Sequence, residues 1–542
     1  MSDDTIDTST GPSAVLDEAH LGDIRGALGT IKQHDLGARR TWRARLLTLA
    51  AIVGPGIIVM VGDNDAGGVA TYSQAGQNYG TSLLWTLILL IPVLVVNQEM
   101  VVRLGAVTGV GHARLIKERF GKFWGWFSVG DLFLLDFLTI VTEFIGVDLA
   151  LSYFGVSKYV SVPIAAFGLV VMTASGSFRR WERFMLLFVA ANFLVIPLAV
   201  FAHPHAGPIL HDLVVPGIRG GVSSTSVLLI IAIVGTTVAP WQLFFQQSNI
   251  IDKRITPRWI NYERADTVIG SVVTVVGAGA MIVTCAFALD HSHYFGAFTD
   301  AGGVARALSH QVSYTAGALY AIVLVNASII GAAAVTLGTS YAFGDMFGAR
   351  HSLHRNFFEA PGFYSSFAGL VALAAGIVLI PGAPLGLITT SVQALAGVLL
   401  PSASVFLLLL CNDKEVLGPW VNRPWLNAVA AFIIGVLLIL SLVLVVTTIF
   451  PAINVTVLTL VLFGVLIVSL GAGGFVYAAT LGKRQATAPI GHRDTWRMPP
   501  LTLLGRPEWS RGRTAAMWSL RGYLVVAVVL LVVKAVQLGT GH

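Results

Sequence analysis

The stretch VGDNDAGGVA, residues 61–70, decides how this chain folds. It interrupts an apolar segment that reads TLAAIVGPGIIVM before it and SLLWTLILLI further along. Two carboxylates and a pair of glycines therefore lie where a membrane helix is expected. An ionised carboxylate at the centre of a bilayer costs about 2.5 to 3.5 kcal/mol on insertion scales, so it normally faces a cavity and serves a substrate or an ion. Asp65 is accordingly predicted to be functional.

The composition is that of an integral membrane protein. Of the 542 residues, 55% are hydrophobic and 11% are charged, and the mean hydropathy is +0.78. Apolar runs of about 20 residues, the length that crosses a bilayer, predict an all-α protein with 12 to 13 spans. The predicted spans are residues 45–78, 81–107, 126–154, 160–176, 182–203, 226–249, 265–290, 314–345, 364–381, 385–411, 426–449, 452–481 and 520–538. The sequence contains no Walker A or zinc-protease motif, which disfavours an enzyme.

Basic residues mark alternate loops and indicate the orientation. Lys and Arg cluster before span 1, between spans 2 and 3, between spans 4 and 5, and again in later loops of the same parity. Because such clusters stay on the cytoplasmic side, we expect a multi-pass protein of the cell membrane with a cytoplasmic N-terminus. Its expected partners are the lipid bilayer and a small substrate rather than nucleic acid, and we expect a monomer.

Two predicted spans contain helix breakers, and they stand five spans apart. Span 1 is interrupted at GDNDAGG (62–68) and span 6 at GTTVAPWQ (235–242), where Pro240 removes a backbone donor. Matching breaks are typical of inverted-repeat transporters whose discontinuous helices meet at the bilayer midplane; simple kinks are the alternative. The predicted organisation is a cytoplasmic tail at 1–44, a first repeat at 45–203, a second repeat at 226–411, and C-terminal spans at 412–542 with a basic cytoplasmic segment at 482–519.

The two breaks together predict a cation site. Asp65 supplies a negative charge, and unwound backbone is expected to free carbonyl oxygens near Ala66 and Gly67 in span 1 and near Val238 and Ala239 in span 6. Asp63 is a weaker candidate ligand. Side chains two residues apart in a helix diverge, so Asp63 is expected to face the extracellular vestibule instead.

Longer motifs resemble a known family. GPGIIVMVGDNDAGGVATYSQAGQNYGTSLLW (54–85) resembles the first-helix region of the NRAMP divalent-metal transporters, and AIVGTTVAPWQLFFQQSN (232–249) resembles their sixth helix. EFIG (143–146) and the spacing from Gln393 to Pro401 are further matches. The resemblance covers residues 45–411 and implies a LeuT-like fold with two inverted five-helix repeats and additional C-terminal helices. It also implies that a divalent metal ion is carried as substrate, without a cofactor, and that Gln393 orients an ion-bound water; packing within the bundle is the alternative role for this amide.

The departures from the family pattern imply a change of substrate. Gly68 stands where the family has a ligating asparagine, Ala239 where it has a methionine, and Trp241 and Gln246 where it has histidines. A thioether favours transition metals, whereas Mg²⁺ usually keeps several of its waters. The pattern is therefore similar to that of the NRAMP-related magnesium transporters, and it implies Mg²⁺ transport with Mn²⁺ also accepted. The metal site implied by this resemblance consists of Asp65, Ala66, Gly67, Gly68, Val238, Ala239 and Gln393.

Proton coupling is expected to be absent. The family's proton route uses the span 6 histidine, a pair of acids in span 3 and arginines in span 9. Here Ile140 aligns with the first acid, and residues 364–381 contain no arginine. Glu143 remains, either as a proton carrier or as a carboxylate hydrogen-bonded within the bundle. The candidate pathway residues are Asp63, Glu143, Trp241, Gln242 and Gln246.

Other functional classes stay open at this point. A proton-coupled Mn²⁺ or Fe²⁺ transporter with a remodelled site is the main alternative. An amino-acid carrier of the same fold is disfavoured, because Asp65 would repel the carboxylate of its substrate. A membrane receptor or structural protein would show no solute flux.

Overall fold

The computed structural model describes residues 17–35, 37–381, 385–450, 453–481 and 493–505, together with part of 514–529. The first 16 residues, much of the basic segment predicted at 482–519 and most of the span predicted at 520–538 lie outside the described residues. In the described part the chain is helical, apart from one two-stranded antiparallel sheet, β1 (Ile24–Gly26) and β2 (Gly29–Ile31), in which Ile24 pairs with Ile31.

The helices follow the predicted spans closely. In the first half they are α1 (Trp42–Ile52), α2 (Pro55–Gly62), α3 (Ala66–Tyr79), α4 (Leu84–Thr108), α5 (His112–Phe120), α6 (Lys122–Tyr153), α7 (Lys158–Thr173), α8 (Phe178–Asn192), α9 (Val195–Phe201) and α10 (Ala206–Val214). In the second half they are α11 (Ser224–Thr237), α12 (Pro240–Asp252), α13 (Ile260–Leu289), α14 (Ala301–Gln311), α15 (Tyr314–Phe347), α16 (Pro361–Val378), α17 (Leu385–Cys411), α18 (Lys414–Leu417), α19 (Pro424–Ile449) and α20 (Val455–Leu481).

Nine helical segments of the described chain are long and apolar enough to cross a membrane, counting α8 with α9 and α11 with α12 as one segment each, and the bent pair α1–α2 makes ten. Two further predicted spans are helical but fall outside this group. The helix α6, predicted as span 3, carries Asp131, Asp136, Glu143 and Asp148, and α7, predicted as span 4, has 16 residues. These two helices account for the difference between the ten apolar spans and the twelve predicted up to residue 481. The boundaries predicted for the two repeats stay a prediction.

The first span is broken twice, and only the second break was predicted. The helices α1 and α2 meet at an angle of 53° at Val53–Gly54, just before Pro55, because a proline disfavours helical conformation in the residue before it. The free N–H groups of Gly54 and Gly56 donate to the Asp266 carboxylate on α13 at 3.0 and 2.7 Å. Residues 63–65 then separate α2 from α3.

The sixth span is broken where the sequence predicts it. The helix α11 ends at Thr237, Val238 and Ala239 adopt non-helical conformations, and Pro240 is the first residue of α12. The ring of a proline suits the first helical position, since its missing N–H has no partner to lose there. The helix α3 packs against α6, α11, α13, α15 and α17, so its N-terminus lies at the centre of the bundle.

We call one end of the bundle the N-terminal face; it consists of the hairpin β1–β2, the end of α1, the end of α12 and the loop 348–360. His351 in this loop has Nε2 3.3 Å from Asp345 Oδ1 and Nδ1 2.8 Å from the carbonyl of Ala349. Two acceptors suit the doubly protonated ring. Burial alone would lower the pKa of His351, but the hydrogen bond and charge of Asp345 outweigh burial and raise the pKa to about 9.

The stabilising effect of His351 is therefore expected to disappear at high pH. Because its pKa is raised above the ordinary value of 6.5, its contribution is complete below pH 6.5 and is lost as the pH rises through 9; a shift of this size is worth at most about 3 kcal/mol. The melting temperature of purified protein is measured between pH 6 and 10 for wild type and His351→Gln. The gap between them should narrow with rising pH. A constant gap, or the same narrowing in the exposed-site control His310→Gln, would contradict this explanation.

Candidate functional site

The two broken spans meet at the N-terminus of α3. The Tyr72 hydroxyl on α3 lies 2.8 Å from Thr237 Oγ1, the last residue of α11. The Thr236 hydroxyl is buried without a hydrogen-bond partner, and it would lie 3.1 Å from a Cβ at Gly68. The structure therefore brings the predicted interruptions of spans 1 and 6 into direct contact.

Asp65 caps the helix that follows it. The residue is 2% exposed, and its Oδ1 accepts a hydrogen bond from the N–H of Gly68 at 2.7 Å. A carboxylate at a helix N-terminus is favoured by the helix dipole and by the free N–H groups of the first turn. The predicted carboxylate is thus at the break, where it holds the first turn of α3.

A second carboxylate lies beside Asp65. Glu143 on α6 is fully buried, and its Oε2 accepts a hydrogen bond from the N–H of Ala66 at 3.1 Å. Glu143 and Asp65 face the same point of α15, since the Glu143 carboxyl carbon and Asp65 Cβ lie 2.6 and 2.7 Å from where a Cβ on Gly331 would be. Gly331 on α15 makes the approach possible, since a Cβ there would overlap the Glu143 carboxyl group and the Asp65 side chain. Glu143, predicted as a pathway residue, therefore brings a second carboxyl group to the break beside Asp65.

Asp63 is not in a vestibule. Residues 63–65 are not helical, so the argument that the two side chains diverge along a helix does not apply. Asp63 is fully buried, and neither carboxylate oxygen has a hydrogen-bond partner among the described residues. A buried carboxylate without partners is costly, so its position favours a bound cation or a proton.

The backbone oxygens predicted as ligands are only partly free. Ala66 and Gly67 lie in the first turn of α3, where N–H groups are free and carbonyls accept intrahelical bonds. The prediction of free carbonyls at these residues is therefore wrong. In span 6, the carbonyl of Ala239 accepts the N–H of Gln242 at 3.2 Å. At the ends of α2 and α11, the carbonyls of Met60, Val61 and Val234 accept the N–H groups of Asp63, Asn64 and Val238. The carbonyls of Gly62 and Val238 accept no such bond from the described residues.

Gln393 on α17 is brought to the site. A Cβ on Gly67 would overlap the Gln393 side-chain amide, and Gln393 Nε2 has no hydrogen-bond partner. Gly67 therefore allows the amide to lie against the start of α3. A side chain at Gly68 would meet the carbonyl of Asp63 at 2.6 Å, so this glycine also permits a close approach.

The other pathway candidates bind neighbouring helices. Gln242 accepts a hydrogen bond from Gln98 Nε2 on α4 at 2.9 Å, and Gln246 donates to Thr267 Oγ1 on α13 at 3.0 Å. Trp241 is buried against Gly62, and its ring centroid lies 5.9 Å from that of Phe245. These contacts link α12 to its neighbours.

Three pockets border the breaks. One of about 480 Å³ is lined by Asn64 and Tyr72, and two others lie along opposite halves of α6. One of about 230 Å³ reaches Ala66 and is lined by Thr142, Gly146 and Asp300. The other, of about 290 Å³, begins at Pro240 and is lined by Asp131 and Ser402. In the described residues, no group of three or more His, Cys, Asp or Glu side chains is arranged to hold a metal ion.

Sequence reasoning missed three residues of the site: Tyr72, Thr236 and Gly331. Thr236 carries a recognisable signal, because it is a polar residue next to the break predicted at GTTVAPWQ (235–242). Tyr72 and Gly331 carry no such signal. Their roles depend on contacts between distant parts of the chain, at Thr237 and at Glu143.

The comparisons with known proteins agree with one another on one family over most of the chain. The family model described as "Nramp: Natural resistance-associated macrophage protein-like" matches residues 56–447. The divalent metal cation transporters MntH of Aeromonas hydrophila and Bacillus subtilis are each 26% identical, over 73% and 74% of this chain and 96% and 93% of their own lengths. A manganese transporter structure from Eremococcus coleocola shows the same fold, with a TM-score of 0.61 and 18% identity over 83% of this chain and 97% of its own. The LeuT-like helical fold is thereby confirmed.

Removing the charge of Asp65 should abolish transport while preserving the fold. In Asp65→Asn the amide oxygen is still able to accept the N–H of Gly68, so the first turn of α3 stays capped. Uptake of divalent cations into proteoliposomes should fall by more than about tenfold, or 1.4 kcal/mol, at unchanged melting temperature. The matched control is Asp290→Asn in a loop, which should keep wild-type uptake. Wild-type uptake by Asp65→Asn would show that this carboxylate is not part of the site.

Proposed function

The chain belongs to the Nramp family, and from this premise we propose that it transports divalent metal cations, with Mg²⁺ preferred and Mn²⁺ also accepted. We place its N-terminal face in the cytoplasm and take the monomer as the working unit, since both broken spans lie in one chain. The cation is the substrate and no cofactor takes part.

The observation that carries this proposal is the chemistry of the donors around the breaks. The side-chain groups there are the carboxyl groups of Asp63, Asp65 and Glu143, the Thr236 hydroxyl and the Gln393 amide, whose Nε2 lies against Gly67. The carboxylates, the hydroxyl and an amide oxygen are hard oxygen donors, which suit Mg²⁺ and Mn²⁺. At the position where the resemblance places a thioether, the chain has Ala239. A site without sulfur loses the means to favour transition metals over Mg²⁺.

We assign Asp65, Val238 and Gln393 as metal residues, with Asp63 added as a ligand; Gly68 lies in the first turn of α3 and acts through its small size and its N–H bond to Asp65. Asp63 is included because its buried oxygens have no partner. Ala66, Gly67 and Ala239 act through size and backbone position rather than as oxygen donors. Three carboxyl groups, those of Asp63, Asp65 and Glu143, disfavour an amino-acid substrate more strongly than Asp65 alone, because they would repel the carboxylate of that substrate.

Restoring a thioether should change the ion preference. Ala239→Met places sulfur at the second break and should move uptake from Mg²⁺ toward Mn²⁺ and Cd²⁺. The matched control is Ala239→Leu, which is similar in size but lacks sulfur. A substitution at Gly68 is avoided, because a Cβ there meets the Asp63 carbonyl. Uptake of each ion is measured by competition in proteoliposomes; an equal shift in both variants would attribute the effect to size and contradict the role of sulfur.

Transport is expected to proceed without proton movement. Trp241 and Gln246 are unable to exchange protons near neutral pH, where histidine does so readily, and α16 has no arginine. With a pH dye enclosed in liposomes, Mg²⁺ entry driven by its gradient should leave the lumenal pH unchanged. Because Glu143 lies beside Asp65, Glu143→Gln is the decisive variant. Acidification that follows Mg²⁺ entry and disappears in Glu143→Gln would support the proton-coupled alternative.

A further inference from the structure

Residues 17–35 precede the region that matches the family model, 56–447, yet they are folded onto the N-terminal face. We call them the strap. The strap contains the hairpin β1–β2, and its apolar residues Ile24, Ala27 and Ile31 are buried against the bundle. A segment outside the family match therefore covers one end of the transport helices.

The tip of the hairpin is hydrogen-bonded to α8 in both directions. The N–H of Ala27 donates to Glu182 Oε2 at 2.5 Å, and Arg183 Nε donates to the carbonyl of Ala27 at 3.2 Å. The other oxygen of Glu182 binds Lys253 Nζ at 2.5 Å. Lys253, just after α12, also donates to the carbonyls of Ile52 and Val53 at the α1–α2 break, at 2.6 and 3.0 Å. One chain of hydrogen bonds thus connects the strap, α8, α12 and the broken first span.

The hairpin also fits closely on α1. A Cβ on Gly26 would overlap the carbonyl of Ala51, and a Cβ on Gly29 would lie 2.9 Å from the Ala51 side chain. Both strands therefore approach α1 at positions that admit only glycine.

The start of the strap binds two further elements. Arg254, two residues after α12, donates to the carbonyl of Ala19 at 2.8 Å, and His20 Nε2 lies 3.4 Å from Asp252 Oδ1 at the end of α12. Asp17 binds Arg355, in the loop after α15, at 2.5 Å. The strap thus joins α12 to a loop that connects α15 and α16.

We propose that the strap locks the N-terminal face in its closed state and must release before the face opens to let a cation pass. Alternating access in folds of this kind requires one group of helices to rock against the other. The strap binds α1 and α12, which contain halves of the broken spans, and it also binds α8 and the α15–α16 loop. These helices and the loop are unable to move apart while the strap keeps all of the contacts described above. The transport consequence depends on the proposed function, but the closed state of the face does not.

The test measures opening directly, with reporter cysteines in purified full-length protein. Ser271→Cys places a thiol on α13 beside Met60 of α2, where it is buried while the N-terminal face is closed. Thr142→Cys reports on the pocket at the other end of the bundle. In each background, Gly26→Val dislodges the strap and Leu28→Val, at the 66% exposed tip residue, is the matched control.

A water-soluble maleimide should label the Ser271→Cys reporter at least about fivefold faster in the Gly26→Val background than with the wild-type strap. It should label the Thr142→Cys reporter more slowly in that background. Leu28→Val should match the wild-type strap at both positions. Equal labelling of Gly26→Val and the wild-type strap would overturn the proposal.

A second variant decides the matter if Gly26→Val does not fold, as judged by gel filtration. Asp17→Asn weakens the Arg355 ion pair, while its amide oxygen is still able to accept the N–H of Ala19. The labelling rates of the two reporter cysteines in this variant then support or overturn the proposal. Labelling requires no ion flux, so a protein that fails to transport Mg²⁺ refutes the proposed function and leaves this test intact.

Discussion

Buried carboxylates that cap broken helices are the constraint on which the rest of this structure depends. A helix break inside a membrane frees backbone groups that water is unable to satisfy, and each unsatisfied group costs several kcal/mol. Here Asp65 and Glu143 accept N–H groups at the start of α3, and Asp266 accepts those at the start of α2. In the proposed site these carboxylates would serve two purposes, because the groups that stabilise the break are also the proposed ligands of the cation. Binding of the cation would consequently be coupled to the stability of the first turn of α3.

The short helix α2 connects the two ends of this system. It has eight residues, and at 1.5 Å per residue it spans about 12 Å. Its last residue adjoins the candidate metal site, and its first turn is held by Asp266 beside the Lys253 and Glu182 pair that binds the strap. A displacement of α2 would therefore act on both places. This arrangement gives the proposed strap a physical connection to the state of the site.

The sequence predicts the architecture better than the details of the site. The breaks at 63–65 and 238–239 are predictable, because Gly67, Gly68 and Pro240 act through local backbone geometry. The free carbonyls assigned to Ala66 and Gly67 were wrong, since a helix start exposes N–H groups rather than carbonyls. The vestibule position of Asp63 was wrong because it assumed a helix through residues 63–65. The position of the hairpin depends on the contact of Gly26 with Ala51, and the position of Glu143 beside Asp65 depends on Gly331. These residues are distant in the sequence, so no local pattern reveals their contacts.

The central claim is that a divalent cation binds between the two broken spans, in a site that prefers Mg²⁺. Anomalous diffraction at the manganese edge, from crystals soaked in Mn²⁺, locates such an ion without reference to transport. We predict one strong peak beside Asp65 and the carbonyl of Val238, which disappears when excess Mg²⁺ is present. A peak elsewhere in the bundle, or a peak at this position that excess Mg²⁺ leaves unchanged, would contradict the account.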